Sequence, residues 1–325
     1  TYVCTDATTD ANVWTNVGGG TGDIAAWAFG GTATGYVWGD VGVTDIGLIS
    51  FTADGNSTQV GGLSVPVGSG QYTGQSSPTH GYQYGGYRGP GLGLTSNIYK
   101  MSFANATTMS TAGDMMFAQQ HLSSSANETH SWISASNHGT FRNIEKYSFS
   151  TETSQNQTAI LSYAMSGGAG ATSGINGYHL GGWHSGTHSN IIDKYPFATD
   201  TNAVGIGNLS GAPCQNMGFC SSTHGYSCGG YPIAGAGAAV RTQDKFSFSS
   251  DATTLDIGDI DTDKRYAAHS SSSTTYGYIA GGAGTNNASN YGIQKSSFAS
   301  DGVFTNVGNL IRTTSTQSMG QGSQV

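Results

Sequence analysis

Gly177-Tyr178-His179-Leu180-Gly181-Gly182 and Ile192-Asp193-Lys194-Tyr195-Pro196-Phe197-Ala198-Thr199-Asp200 form one phrase: an apolar strand ending in two glycines, then a strand ending in an aromatic residue and an acid-bearing turn. The phrase recurs along the chain. Its first half returns as Ala26-Trp27-Ala28-Phe29-Gly30-Gly31, Gly81-Tyr82-Gln83-Tyr84-Gly85-Gly86, Gly225-Tyr226-Ser227-Cys228-Gly229-Gly230 and Gly277-Tyr278-Ile279-Ala280-Gly281-Gly282. Ser131-Trp132-Ile133-Ser134-Ala135-Ser136 keeps the aromatic and loses the glycines. The second half places Phe51, Phe103, Phe149, Phe197, Phe248 and Phe298 at steps of 46 to 52 residues.

The repeat also fixes charge. Lysine stands three residues before the phenylalanine at Lys100, Lys146, Lys194, Lys245 and Lys295, which are five of the six lysines in the chain. An acid stands three residues after it at Asp54, Glu152, Asp200, Asp251 and Asp301. A charge-poor chain that confines its lysines to one repeated position uses them structurally, with stems along a strand and heads near a carboxylate.

After each acid comes a strand ending near Gly207-Asn208-Leu209, Gly258-Asp259-Ile260 or Gly308-Asn309-Leu310, then a segment rich in small residues such as Tyr266-Ala267-Ala268-His269-Ser270-Ser271. Each unit therefore reads as four antiparallel strands, with the small residues innermost, where units converge. A period near fifty residues is the size of one four-stranded propeller blade. The expected fold is all-β: a β-propeller of six four-stranded blades over residues 25–325, with 1–24 as a β-hairpin and linker from a preceding module. Residues 313–325 supply an innermost strand without a following double-glycine strand, and the unit starting at Ala26 lacks an innermost strand. Joined, they close the ring with the C-terminal strand and remove two open sheet edges. A competing alignment starts at Gly35-Tyr36-Val37-Trp38-Gly39-Asp40 and points to a seventh blade. The linker from Gly31 to Phe51 is only slightly long under the Ala26 alignment, which is therefore preferred.

Composition narrows the function. Of 325 residues 51 are glycine and 9% are charged, with 17 tyrosines regularly spaced, which suits short strands and tight turns and not disorder. A net charge of -8 without a basic patch excludes nucleic acid as the expected partner. No run of eighteen apolar residues occurs, so no membrane insertion is expected. Beginning at Thr1 without a signal-like segment, the chain reads as processed or partial. Cys214, Cys220 and Cys228 fall on one hairpin; a Cys220–Cys228 cross-strand bond is conceivable, but buried free thiols are the preferred reading.

Candidate chemistry is sparse. His179, His184 and His188 are close in sequence, but convergence on a metal needs a folded-back loop, and an exposed loop is preferred. His80, His130 and His224 each precede an aromatic strand and read as turn residues. Asp259, Asp261 and Asp263 have calcium-loop spacing, but Lys264 stands where the sharp-turn glycine belongs. No nucleophile and base pair of the triad type is found. Neither catalytic residues, a metal nor a cofactor is expected. The candidate ligand-binding residues are Tyr87, Arg88, Trp183, His184 and Tyr231, which follow double glycines at one end of three units; aromatic faces beside polar groups suit sugar rings. The alternative is that they cap the core of a neighbouring unit.

The double glycine, the Tyr/Phe strand and the fifty-residue period resemble Kelch-type propellers over residues 26–325. The blade phrase at 192–200 is similar to Kelch-like repeats in tail-fibre and other virion structural proteins of marine tailed phages. That resemblance implies a non-enzymatic, extracellular protein of the virion surface that meets a host-surface glycan or other virion subunits, as a homo-oligomer through its N-terminal region. Kelch-type enzymes such as galactose oxidase place a Cys beside a Tyr, as Cys228 and Tyr226 do here, but no matching His pair accompanies them. A secreted carbohydrate-active enzyme and a ligand-free extracellular scaffold are the alternatives.

Overall fold

A computed structural model describes residues 2–6, 13–16, 24–25, 31, 33–40, 43–63, 72–89, 91–134, 141–231, 240–251, 253–261, 265–283, 290–314, 320–321 and 323–324. It is all-β among these residues apart from one short 3-10 turn, Phe103–Asn105. The repeated phrase becomes a four-stranded antiparallel sheet in sequence order. In the Gly177 copy the strands are Ala169–Thr172, Asn176–His184, Thr187–Pro196 and Val204–Asn208. The units around Trp132 and Tyr226 repeat this order as separate four-stranded sheets. The unit around Tyr82 joins the one before it through a parallel pairing of Thr108 and Met109 with Gly62 and Leu63. The unit around Tyr278 gains Gly320–Gln321 beside its first strand. At the N-terminus Tyr2–Asp6, Val13–Asn16 and Ile24–Ala25 form a three-stranded sheet, one strand more than the expected hairpin.

The double glycine bends or ends the second strand because the chain there takes backbone angles that a side chain resists. Gly181 and Gly182 have φ of 65° and 122°, and Gly229 and Gly230 have 59° and 109°. A Cβ on Gly181 would also stand 2.8 Å from the Pro213 carbonyl oxygen.

Aromatic stacking joins each sheet to the next. The second-strand aromatic of one unit lies on the repeat phenylalanine of its successor: Tyr36 on Phe103, Tyr82 on Phe149, Trp132 on Phe197, Tyr178 on Phe248 and Tyr226 on Phe298, with centroids 3.9 to 5.6 Å apart. Tyr278 of the last unit lies on Phe51 of the first at 4.6 Å. The buried apolar side chains accordingly fall into six clusters, each shared by two units. Burying one such ring is worth roughly 1.5–3 kcal/mol, so these seams carry much of the stability.

Tyr36 corrects the alignment of the first unit. Its stacking on Phe103 puts the strand Thr34–Asp40 in the second position, where the Ala26 stretch was expected. A Cβ on Gly35 would stand 2.8 Å from the Phe51 ring, as one on Gly225 would stand 2.3 Å from Phe246. Ala26–Gly30 lie outside the described residues; Gly31 makes a parallel bridge to Ser273 in the last unit. The innermost place beside Thr34–Asp40 is taken by Ser323–Gln324, paired antiparallel with Tyr36 and Gly35.

The innermost strands pack at backbone distance. A Cβ on Gly170 would stand 1.9 Å from the Ser124 carbonyl oxygen, and one on Gly218 2.2 Å from that of Gly170. Small residues are needed there, as expected, although Phe219 takes an innermost place by pointing into the seam beneath Gly277. Hydroxyls tie these strands sideways: Ser123 donates to Ala169 O at 2.9 Å and Ser270 to Gly218 O at 2.6 Å.

The lysine and acid columns meet between units. Lys194 pairs with Asp251 at 2.9 Å, Lys245 with Asp301 at 2.8 Å and Lys295 with Asp54 at 2.5 Å; Lys100 pairs with Glu152. Lys146 differs, lying 5.3 Å from the Trp132 ring while Asp200 accepts from the backbone of Thr158 and Ala159. The hairpin register places Cys220 opposite Gly225 and Cys228 opposite Met217, so the two thiols are not cross-strand neighbours. Cys214, Cys220 and Cys228 are buried and free.

Candidate binding site at the double-glycine end

The loops after the double glycines and the connections between successive units leave the sheets at the same end. Two of the expected residues are fixed there by backbone pairing. Trp183 N–H donates to Ser166 O at 2.7 Å and Tyr231 N–H to Cys214 O at 2.8 Å, each tying its loop to the connection that precedes its own unit. Those connections are themselves stacked. His121, Gly167 and Gln215 occupy equivalent places two residues before an innermost strand, with φ of 57°, 67° and 56°. Gly167 N–H donates to His121 O at 2.9 Å, and Gln215 N–H donates to Gly167 O. A non-glycine residue held in the left-handed region is uncommon, and two of them flanking Gly167 mark a tightly determined wall.

These segments enclose a cavity of about 240 Å³ lined by His121, Ser166, Gly167, Trp183, His188, Cys214, Gln215 and Tyr231. The His188 and Tyr231 rings lie 5.9 Å apart, and His188 Nε2 is 3.6 Å from Cys214 Sγ. Burial pushes the Cys214 thiol up to about 12, so it is a neutral group. Burial also lowers the His188 imidazole, with carbonyls of Ala212 and Tyr231 acting against it. Gln215 Oε1 is a buried acceptor without a partner among the described residues. The wall thus combines an indole, a phenol ring, imidazoles and an amide oxygen with no carboxylate, lysine or arginine in the lining, which suits a neutral polyhydroxy ligand.

The other expected residues stand apart from the cavity. His184 Nδ1 is 2.6 Å from Ala164 O and its ring meets the edge of Tyr163 at 5.0 Å. Tyr87 bridges to Leu94 and Arg88 N–H donates to Gly93 O, within the unit of Tyr82. The cavity brings together Trp183 and Tyr231; Tyr87, Arg88 and His184 do not join them.

The three clustered histidines do not converge. His179 is wholly buried in its strand opposite Asp193, with Nδ1 3.3 Å from Ser134 Oγ, and burial lowers its pKa to about 4. Among the described residues no group of three His, Cys, Asp or Glu side chains could hold a metal ion. His80, His130 and His224, expected in turns, instead open the second strand of their units just after the turn, and in each Nδ1 lies 2.8 Å from the hydroxyl of the preceding threonine. Asp259 ends a strand, and Asp263 lies outside the described residues.

Two features escaped sequence reading. His121, Ser166 and Gln215 lie in connections that carry no repeated letters. The residue before each lysine forms a further column, and in three successive units it is a buried acid: Glu145, Asp193 and Asp244. Each accepts from the backbone N–H that follows the previous outer strand, at Met116, Ser162 and Ser210 respectively. Three consecutive acids in one column were a visible signal, masked by the more regular lysines beside them.

Comparison of the sequence with family models gave no match, and comparison with curated proteins gave none.

Proposed function

We propose that the chain is a six-bladed, Kelch-like propeller that serves as a non-enzymatic attachment module of a virion surface, with its double-glycine end meeting a host-surface glycan. Support for the ring comes from the last unit packing on the first through Tyr278 and Phe51, and from Ser323–Gln324 pairing beside Thr34–Asp40. Support for the virion setting is the likeness of the blade phrase at 192–200 to Kelch-like tail-fibre repeats. On this reading the N-terminal strands belong to the junction with other virion subunits.

The observation that carries the binding reading is the meeting of Trp183 and Tyr231 in one cavity. Both are half-buried, so their bodies are held by packing while part of each ring stays accessible. A rigid aromatic wall beside buried hydrogen-bonding groups binds a sugar ring by stacking its C–H face and reading its hydroxyls.

A glycan array probed with the full chain tests this. A restricted set of glycans should bind, and Trp183→Ala should weaken them by about tenfold or more, as expected for an aromatic anchor. Circular dichroism and melting of the variant should match the parent. Failure of every glycan to bind, or binding indifferent to Trp183→Ala, would overturn the assignment.

A further inference from the structure

A second cavity, of about 280 Å³, lies in the unit of Tyr226. It arises where one column of the repeat is broken. The second residue before each double glycine points inward and is large in most units: Gln83, Ile133, His179 and Ile279, with Val37 in the first. In this unit it is Ser227, 2% exposed. A small side chain in a column of large ones leaves room, and that room is bounded by Ala212, Pro213 and Val240 on its apolar side.

The polar side is built from buried groups. Asp244 is 2% exposed and lines the cavity. Its oxygens accept from Thr254 Oγ1 at 3.0 Å and from Ser210 N–H at 3.2 and 3.3 Å. No cation pairs with it among the described residues: Lys245 is committed to Asp301, and the Arg241 guanidinium donates to the carbonyls of Ile260 and Asp261. Asp256 adds like-charge repulsion. Ser227 Oγ accepts from Asn216 Nδ2 at 2.7 Å. A buried carboxylate without a counter-charge is expensive, and a bound cation would offset that cost.

We propose that this cavity binds a small organic ammonium with an apolar body. Its N–H groups meet the Asp244 carboxylate, and its hydrocarbon part rests on Ala212, Pro213 and Val240. The equivalent place in the preceding unit shows why the site is confined to this one. There the buried acid Asp193 stands opposite the bulky His179, whereas here Asp244 stands opposite the small Ser227. Its lining shares no residue with the Trp183 and Tyr231 cavity.

Cyclohexylammonium and cyclohexanol are a matched pair of probes, followed by ligand-observed NMR titration of the full chain at neutral pH. The amine should bind saturably and the alcohol about tenfold more weakly or worse, the factor that about 1.4 kcal/mol of charge pairing gives. Asp244→Asn keeps an acceptor for Ser210 and should bring the two probes to equal affinity. Ser227→Ile inserts the residue that two other units carry here, and should abolish binding of both probes in a chain whose circular dichroism matches the parent. No saturable amine binding to the parent protein, equal affinity for amine and alcohol, or full amine binding by Ser227→Ile would each overturn the proposal.

Discussion

Lys295 Nζ stands 2.5 Å from Asp54 Oδ1, an ion pair between residues 241 positions apart that joins the last unit to the first. The same seam holds the Tyr278 and Phe51 stack, Ser57 N–H donating to Asn309 O at 2.9 Å, and Ile311 N–H donating to Ser57 Oγ at 2.9 Å. These contacts differ in worth. Asp54 is 55% exposed, so the charge pair is screened and Asp54→Asn should cost only about 0.5 kcal/mol. Phe51→Ala strips a ring from the seam and should cost about 3 kcal/mol, less whatever its partial exposure already spares. Urea denaturation of the two variants measures both. Equal, small effects would mean that this seam is not a stabilising contact.

In one seam both members of the charge pair are replaced together. The lysine position of the first unit is Leu48 and the acid position of the second is Ala106, and both pack against the core cluster that contains Tyr36 and Met101. An apolar pair has replaced an ionic one at the same place. Leu48→Lys alone should destabilise by about 1–2 kcal/mol, through lost burial and an unpaired ammonium. Adding Ala106→Asp should return about 0.5 kcal/mol of that. A double-mutant cycle reads the coupling; a value of zero would show that the two positions are not equivalent to Lys194 and Asp251.

The innermost strands give a sharper steric test. Gly170→Ala would place a methyl 1.9 Å from the Ser124 carbonyl oxygen, a backbone atom that cannot rotate away. The strands would have to separate, at about 3 kcal/mol, the upper end for overpacking. Gly205→Ala is the control: its Cβ meets Ile191 at 3.5 Å, an ordinary contact, and the change should stay within about 0.5 kcal/mol. Thermal melts of the two variants side by side would refute tight central packing if their midpoints coincided.

What the sequence revealed followed its periodicity. Phe51 and Tyr278 could be placed in equivalent columns because the phrase repeats, and Trp183 and Tyr231 could be put at one end because each follows a double glycine. The first unit was misaligned for the same reason. Ala26-Trp27-Ala28-Phe29-Gly30-Gly31 keeps the letters of the phrase, whereas the strand that stacks on Phe103 has Gly39-Asp40 where the double glycine should be. A local likeness outweighed packing that only three dimensions reveal. His121, Ser166 and Gln215 were invisible because their neighbours in the cavity come from two other connections. Ser227 and Asp244 are conspicuous only when whole columns are compared, since the information is that serine is small where other units are large.

The buried acids predict a slope of stability with pH. Burial raises Asp193, Asp244 and Glu145, with hydrogen bonds from Ser162, Ser210 and Thr254, and Met116 acting against it. For these groups the folded state binds protons more readily than the unfolded chain. Their contribution is therefore most favourable at low pH and is lost as pH rises from the ordinary carboxylate range through the raised folded values. Gln294 shows that a neutral amide suffices in this column, since its Oε1 accepts from Asp261 N–H at 3.2 Å. Asp193→Asn should consequently be at least as stable as the parent at pH 7 and should lose this residue's share of the fall in stability as pH rises, so that stability climbs more steeply with pH than in the parent. A large loss of stability at pH 7 would mean that the charge itself is required.

His179 acts in the opposite direction, and its effect can be isolated. Its ring is 0% exposed and its pKa is lowered from 6.5 to about 4 by burial, so the unfolded chain binds the proton more readily. The stability that this group confers is fully present above pH 6.5 and is lost as pH falls toward 4, by about 3 kcal/mol in total at 1.36 kcal/mol per pH unit. Gln83 occupies the same column in the unit of Tyr82, 1% exposed, so His179→Gln introduces a side chain that the repeat already accommodates there. The variant should lose the acid-side slope between pH 6.5 and 4 and unfold at a lower pH than the parent, measured by tryptophan fluorescence along a pH titration in urea. Because His179 and the carboxylates pull in opposite directions, the double variant His179→Gln/Asp193→Asn should have the flattest profile of the set. An unchanged slope in His179→Gln would show that protonation of this imidazole is not what limits the fold in acid.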